Sequence, residues 1–193
     1  FEIPTVKDAV YTTPSITKIW RGTVSKTANF GLFKKGGIAD ERLIPVQGAV
    51  PTITKNKNEW TVEFKDAKIN DDNGNAIQYV IKEIDEDGKV LEDDDIIDLD
   101  NRAYRVSESK DGKTITNTEL INITVEKKWA AGVPETATRS IGFKVVGNDE
   151  EDYTYTLNEK NGWIEKVEDL PLYDENGAEI KYSVVETRIN GED

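Results

Sequence analysis

The feature that most constrains this chain is an internal repeat: the segment Trp60–Glu83 returns 103 positions later as Trp163–Glu186. Aligned without a gap, the two segments share eight of 24 positions, including the Trp that opens each and the Glu that closes each. A repeat of this kind indicates two copies of one folding unit. We therefore predict two tandem domains, in which Glu83 and Glu186 occupy equivalent positions.

Composition narrows the classes of function. The net charge is −13, and so acidic a chain is not expected to bind nucleic acid or an anionic membrane surface, which require a basic face. The sequence has no Cys and no His, which excludes disulfides and catalytic Ser–His or Cys–His pairs. No apolar run approaches the ~20 residues of a membrane-spanning helix. The chain begins at Phe1 rather than Met, and we expect it to be part of a larger protein.

Short alternating segments separated by Asn-Gly and Asp-Gly turns, with almost no helical periodicity, predict two all-β sandwiches. The predicted strands are Ser15–Trp20, Glu59–Phe64, Ile77–Ile84, Ala103–Ser107, Thr114–Thr118, Ile123–Trp129, Ile141–Val146 and Tyr153–Leu157. The basic, Gly-rich stretch Arg21–Lys57 is interpreted as a strand or two with long loops.

The predicted division is a lead-in or linker at 1–14, a first domain at 15–119 and a second domain at 120–193. Only seven residues follow Glu186, whereas the first copy continues through two more strands after Glu83. We therefore expect the second domain to lack its C-terminal strand or strands in this sequence.

Three polar residues of the first half fall on strand faces that are otherwise apolar: Lys18, Glu83 and Asn117. Side chains two positions apart in a strand share a face. The apolar residues in phase with the three are Ile16 and Trp20, Tyr79 and Ile81, and Ile115. Buried charges are costly unless they are paired, so we expect the three to meet in the core. Lys127 and Glu186 repeat the phase of Lys18 and Glu83 in the second half.

This trio predicts one of two arrangements. Burial favours a neutral amine and a neutral carboxylic acid. A neutral Lys18 is a nucleophile for the carboxamide of Asn117, and a protonated Glu83 can polarise the carboxamide oxygen and carry a proton to the leaving ammonia. The product is an amide between Lys and Asn, formed once and without a cofactor. The alternative is a buried Lys–Glu ion pair with the Asn hydrogen-bonded beside it.

The residues also resemble a known family, the Cna B-type domains of Gram-positive surface proteins and pili. The resemblance lies in the openings ITKIW and ITVEKKW, the segments DDNGNAIQYVIKE and DENGAEIKYSVVE, and the closing TITNT, and it covers most of residues 15–193. It implies immunoglobulin-like sandwiches of reverse topology, with an isopeptide bond between the first and last strands that a buried acidic residue catalyses.

By this resemblance Lys18 is the nucleophile, Asn117 the acceptor and Glu83 the catalytic acid. In the second half Lys127 and Glu186 match the family pattern, but no equivalent of TITNT follows. Asn190 lies too close to Glu186 to belong to a separate strand, so we do not assign it as the acceptor. Lys127 is therefore expected to be unlinked unless another segment supplies an Asn.

Two other groups are interpreted as solvated surface. The acidic run Asp85–Asp100 matches no EF-hand spacing and is predicted to be a hairpin and a sheet edge rather than a calcium site. The KKGG at 34–37 is predicted to be a solvated loop, although a basic patch in an acidic protein could contact a partner. The Trp residues are interpreted as packing in the core or at a domain junction.

The sequence and the resemblance together predict a structural stalk module of a cell-wall-anchored adhesin or pilin. The module is expected to be extracellular, to contact neighbouring domains of the same protein and to need no cofactor or metal. The alternative is a ligand-binding region that recognises a host extracellular-matrix protein, with Arg21–Lys57 as its contact surface. An enzyme acting on external substrates is the least favoured class.

Overall fold

Strand formation follows the alternation that the sequence displays at its first strand. In the computed structural model, Ser15–Arg21 forms a strand in which every second side chain is buried. The structure describes residues 10–37, 40–129, 131, 140–148 and 151–189. Most of the predicted lead-in (1–9) and Asn190 lie outside the described residues. The chain divides into two compact units, Phe1–Thr118 (unit 1) and Glu119–Asp193 (unit 2).

Unit 1 is a sandwich of β-strands with one unusual parallel pair. Its strands are β1 (Tyr11–Thr12), β2 (Ser15–Arg21), β3 (Asn29–Gly37), β4 (Asp40–Pro45), β5 (Thr52–Asn56), β6 (Glu59–Glu63), β7 (Ala67–Lys68), β8 (Tyr79–Ile84), β9 (Ile96–Leu99), β10 (Arg102–Glu108) and the first part of β11 (Thr114–Glu126). The larger sheet has the order β5-β6-β2-β11-β10-β9, and the smaller one has the order β4-β3-β8. Strands β2 and β11 are neighbours and run parallel.

The core of unit 1 lies between these two sheets. Both sheets contribute buried side chains, namely Ile16, Val62, Val106 and Ile115 from the larger and Phe30, Leu32 and Ile81 from the smaller. A second cluster of the same unit joins Trp20, Trp60, Leu99 and Tyr104. Polar side chains that point between the sheets are therefore surrounded by apolar groups.

In its described residues, unit 2 has fewer β-strands than unit 1. They are the second part of β11, then β12 (Ile141–Gly147), β13 (Asp152–Leu157), β14 (Ile164–Pro171) and β15 (Tyr182–Ile189). Strand β12 lies between β13 and β15, and β14 pairs with residues 120–126 of β11. Its buried core consists of Ile141, Phe143, Val145, Leu157, Val167 and Leu170.

Several identities of the sequence repeat have the same structural role in both copies. Oδ1 of Asp71 accepts hydrogen bonds from the backbone N–H groups of Asn73 and Asn75, and Oδ1 of Asp174 accepts the equivalent pair. The Gly of each Asn-Gly pair has a positive φ, 87° and 80°, which favours glycine. The residues shared by the two copies therefore include residues that form turns as well as residues that pack in the core.

A tyrosine in each copy forms a hydrogen bond to a residue 11 positions earlier in the repeated segment. The hydroxyl of Tyr79 donates to the carbonyl of Lys68 at 2.9 Å, and that of Tyr182 donates to the carbonyl of Pro171 at 2.7 Å. These donors and acceptors are related by the repeat shift of 103 positions.

The stretch Arg21–Lys57 contains more regular structure than the sequence predicted. It holds three strands, β3, β4 and β5, rather than one or two. The KKGG at 34–37 is the end of β3 and not a loop, because β3 pairs with β8 on one side and β4 on the other. The basic residues therefore lie on a strand that also supplies side chains to the core.

The acidic run Asp85–Asp100 forms a hairpin turn and an edge strand. Oδ1 of Asp85 accepts from the N–H groups of Asp87 and Lys89, and β9 is the edge of the larger sheet. No group of three carboxylates or other ligands suited to a metal ion occurs among the described residues. Within the same residues, no helix has the length and apolar character to cross a membrane.

Candidate functional site

The structure brings Lys18, Glu83 and Asn117 together in the interior of unit 1. Lys18 lies in β2 and Asn117 in the neighbouring β11, where the register pairs Lys18 with Ile115 and Asn117 with Trp20. Glu83 lies in β8 of the facing sheet. The carboxylate thus reaches across the sandwich to two residues that adjacent parallel strands present on one face.

One carboxylate contacts both nitrogen atoms. Nζ of Lys18 lies 2.5 Å from Oε2 of Glu83, and Nδ2 of Asn117 donates to Oε1 at 2.8 Å. The whole-residue exposures of Lys18, Glu83 and Asn117 are 0%, 1% and 0%. The trio is therefore closed to bulk water, and each oxygen of the carboxylate is occupied by a different nitrogen.

Burial changes the protonation of the lysine. It lowers the pKa of Lys18 from 10.5 to about 8, because the charged form loses its hydration, and the nearby carboxylate of Glu83 offsets part of this effect. About a tenth of Lys18 is therefore a neutral amine at pH 7, and about half is neutral at pH 8. This is the form that can attack a carbonyl carbon.

The contacts of Asn117 differ from the predicted ones in one respect. The sequence predicts that Glu83 contacts the carboxamide oxygen, whereas the structure places Glu83 at the carboxamide nitrogen, the leaving group of the predicted reaction. In this contact the carboxyl oxygen is the acceptor and the amide N–H is the donor. Oδ1 of Asn117 is buried and has no hydrogen-bond partner among the described residues.

An aromatic cluster covers the lysine. The Nζ atom of Lys18 lies 4.8 Å from the ring centre of Trp20, and Trp20 contacts the rings of Trp60 at 5.2 Å and Tyr104 at 5.3 Å. The predicted role of the Trp residues is packing in the core or at a domain junction, and this prediction does not include Trp20 in the site. The signal was the Lys-x-Trp spacing of both halves, which puts the ring on the same strand face as the lysine.

The second pair is present but is less buried than expected. Nζ of Lys127 lies 2.7 Å from Oε2 of Glu186, and the side chains are 25% and 43% exposed. Within the described residues of unit 2, β11 pairs only with β14, so no strand covers this pair in the way that β11 covers Lys18 in unit 1. No asparagine contact to Glu186 is found in that part of the chain.

Sequence comparison places these features in a family. Residues 15–118 and 123–192 match the sequence model of the Cna protein B-type domain. The chain belongs to this family. The match confirms the resemblance seen in the sequence, and with the nearly all-β structure it confirms the predicted class of immunoglobulin-like sandwiches. Each segment covers one of the two copies that the repeat revealed.

One protein similar to this chain is an adhesin. The chain is 29% identical over 184 residues to a collagen adhesin of Staphylococcus aureus, a match that covers 91% of this chain and 14% of that protein. The chain thus spans about one seventh of the length of this relative.

Two solved structures are also similar. One is a single B repeat unit (B1) of the collagen-binding surface protein Cna of S. aureus, with 24% identity, a TM-score of 0.33 and coverage of 94% of this chain and 89% of that chain. The other is the pilus adhesin SpaC of Lactobacillus rhamnosus GG in its open conformation, with 13% identity, a TM-score of 0.33 and coverage of 95% and 22%.

Proposed function

We propose that this chain is a stalk module of a cell-wall-anchored surface adhesin or pilin, stabilised by an autocatalytic amide bond between Lys18 and Asn117. The observation that carries the proposal is the placement of the Glu83 carboxylate, which contacts the attacking nitrogen with one oxygen and the leaving nitrogen with the other. Membership of the Cna B-type family and kinship with a surface adhesin support the stalk or adhesin role.

The proposed reaction balances without any added reagent. The neutral amine of Lys18 attacks Cγ of Asn117, and Oε2 of Glu83 takes the proton that the attacking nitrogen releases. The carboxyl group of Glu83 then delivers a proton to Nδ2. The Cγ–Nδ2 bond breaks, one ammonia leaves, and Nζ and Cγ remain joined in an amide. Each molecule reacts once, so the step is a self-modification and not the turnover of an external substrate.

The mechanical consequence follows from the topology. The bond joins β2 to β11, the first and last long strands of unit 1, and closes a loop of about 100 residues. By analogy with a disulfide, such a closure removes roughly 4 to 5 kcal/mol of entropy from the unfolded state. Tension applied along the chain then passes through covalent bonds rather than through the hydrogen bonds of the sheet. Reducing agents do not cleave an amide.

Intact-mass measurement tests the proposal. The folded wild-type chain should weigh less than its sequence by the mass of one ammonia. Lys18→Ala, Asn117→Ala and Glu83→Gln should each restore the full mass, whereas Asn56→Ala, which changes an exposed asparagine of β5, should keep the deficit. The full calculated mass in well-folded wild type would instead support the ion-pair arrangement, in which the three residues only hydrogen-bond.

Our proposal for unit 2 is that Lys127 stays unlinked in this chain. The partial exposure of Lys127 and Glu186 and the lack of an asparagine at Glu186 in the described residues support it. A deficit of two ammonias would refute this part of the proposal and leave the bond in unit 1 intact. The division into tandem domains at 15–119 and 120–193 belongs to the same proposal, and the two family matches support it.

A second candidate function is recognition of a host extracellular-matrix protein. It is favoured by the kinship with a protein named as a collagen adhesin. Strands β3 to β5, in the stretch Arg21–Lys57, would supply the contact surface. Binding of soluble collagen to the chain, lost when Lys34 and Lys35 are changed to Ser, would favour this function, and absence of binding would favour the stalk. Both functions place the chain outside the cell, on the cell surface.

A further inference from the structure

The proposed reaction lacks one component that its chemistry requires. As Nζ of Lys18 attacks Cγ of Asn117, Oδ1 changes from a carbonyl oxygen into an oxyanion. A developing charge in a buried site must be met by a hydrogen-bond donor, and such donors often contribute the largest share of catalysis in acyl transfer. Glu83 cannot serve, because its two oxygens are occupied by the two nitrogens.

The described residues of unit 1 contain a donor that has no acceptor. Three buried side-chain polar atoms of the described chain lack a hydrogen-bond partner, and two of them are in unit 1: Oδ1 of Asn117 and Nε1 of Trp20. One is an acceptor and the other a donor. A buried polar group left unpaired costs about 1–3 kcal/mol, so their occurrence on neighbouring residues of adjacent strands requires an explanation.

The register brings both side chains to the reacting centre. Asn117 and Trp20 are register partners in the parallel pair of β11 and β2. Both side chains point between the sheets, since Nδ2 of Asn117 reaches Glu83 in the facing sheet and the Trp20 ring lies 4.8 Å from Nζ of Lys18. The indole therefore already touches the nucleophile.

The second copy repeats the feature. Nζ of Lys127 lies 5.1 Å from the ring centre of Trp129, and Nε1 of Trp129 is the third buried atom without a partner. By contrast, the indole of Trp60, in the same aromatic cluster as Trp20, donates to the carbonyl of Lys57. In both units, the Trp of the Lys-x-Trp sequence thus has a buried indole N–H with no hydrogen-bond partner among the described residues.

We propose that the indole N–H of Trp20 donates a hydrogen bond to Oδ1 of Asn117 as negative charge develops there, which makes Trp20 a catalytic residue of the cross-linking reaction. The proposal rests on the bond proposed for unit 1. A phenylalanine could fill the same space and cover Lys18, so the role assigned to the N–H is distinct from packing.

The test is the rate of ammonia loss. The chain is made by cell-free synthesis at several pH values, samples are quenched in denaturant at intervals, and intact mass gives the linked fraction. Trp20→Phe should slow linking by roughly 10²-fold, as loss of one oxyanion donor does elsewhere, with the pH of half-maximal rate unchanged. Trp129→Phe is the matched control: it removes the equivalent indole N–H beside Lys127 in unit 2, and unit 1 should then link at the wild-type rate.

Two results would overturn the role of Trp20: linking of Trp20→Phe at the wild-type rate, or slow linking with a shifted pH midpoint, which would mean that the ring acts on the protonation of Lys18. If Trp20→Phe does not fold, 3-benzothienylalanine at position 20 replaces N–H by sulfur in the same shape, and the same two outcomes apply. A wild-type chain that keeps its full mass would refute the bond itself, and with it this inference.

Discussion

Lys18 and Glu83 meet across the interior of unit 1, where Nζ of the lysine lies 2.5 Å from Oε2 of the glutamate and neither side chain is exposed. A pair held in this way is either a static ion pair or the proton-transfer partners of a reaction. The two possibilities differ in what pH, substitution and force should do to the chain.

The rate of cross-linking should depend on pH through the amine of Lys18. The reactive form of Lys18 is the neutral amine, and the fraction of this form rises with pH. Because the pKa of Lys18 is about 8, this rise occurs near neutral pH. We expect the rate to increase about fivefold from pH 7 to pH 8 and no more than about twofold above that. Timed mass measurements on freshly synthesised chain give the profile. A rate that keeps rising to pH 10, as for an ordinary exposed lysine, would contradict the role of burial.

The two Lys–Glu pairs offer a matched comparison of a buried and an exposed pair. In the unlinked Asn117→Ala background, Glu83→Gln leaves Lys18 buried without its counter-charge and should destabilise unit 1 by about 3–5 kcal/mol. Glu186→Gln leaves Lys127 partly in water, and should change the stability of unit 2 by no more than about 1 kcal/mol.

Hydrogen exchange of core amides in β2 and β12 reports the two units separately. Equal effects of Glu83→Gln and Glu186→Gln would mean that the difference in exposure does not govern the energetics of the two pairs.

The tyrosines of the repeat should contribute equally to the two units. Tyr79→Phe and Tyr182→Phe each remove one hydroxyl that donates to a strand carbonyl, and each should cost about 1 kcal/mol in its own unit only. Tyr11→Phe is the control, because the Tyr11 side chain is 53% exposed, and its effect should be near zero. A loss of stability in the other unit would argue against independent units.

Much of this architecture could be predicted because the same residues recur at equivalent positions of the two copies. The shared Asp, Gly and Tyr are identical for local reasons, namely an Asx turn, a positive φ and a hydroxyl hydrogen bond, and the shared Glu pairs with a lysine of a distant strand. Strand phase then placed Lys18, Glu83 and Asn117 in one interior, since two-residue periodicity fixes which face a side chain occupies. These are short-range rules that a single sequence displays.

What the sequence did not reveal depends on long-range geometry. Phase cannot tell which atom of the Asn117 carboxamide faces Glu83, because that depends on the approach of β8 from the other sheet. Strand phase also predicts equal burial for Lys127 and Lys18, whereas the exposure of each lysine depends on which strand lies beside it. The strands within Arg21–Lys57 were underestimated because β3 is stabilised by pairing with β8, a contact between residues about 50 positions apart.

Force should distinguish a linked unit 1 from an unlinked one. With Lys18 and Asn117 joined, the roughly 100 residues between them cannot extend, and at about 3.4 Å per residue this withholds roughly 340 Å of contour length. Stretching single molecules held at the two ends of the chain should therefore show no release of this length in wild type. In Asn117→Ala, this length should be released as one additional unfolding event.

The extension from unit 2 serves as the internal control. Lys127 is expected to be unlinked, so the unfolding event of unit 2 should be the same in both chains. A wild-type record that contains the full extension of unit 1 would mean that tension reaches the hydrogen bonds of the sheet, and the stalk role would then lose its covalent basis.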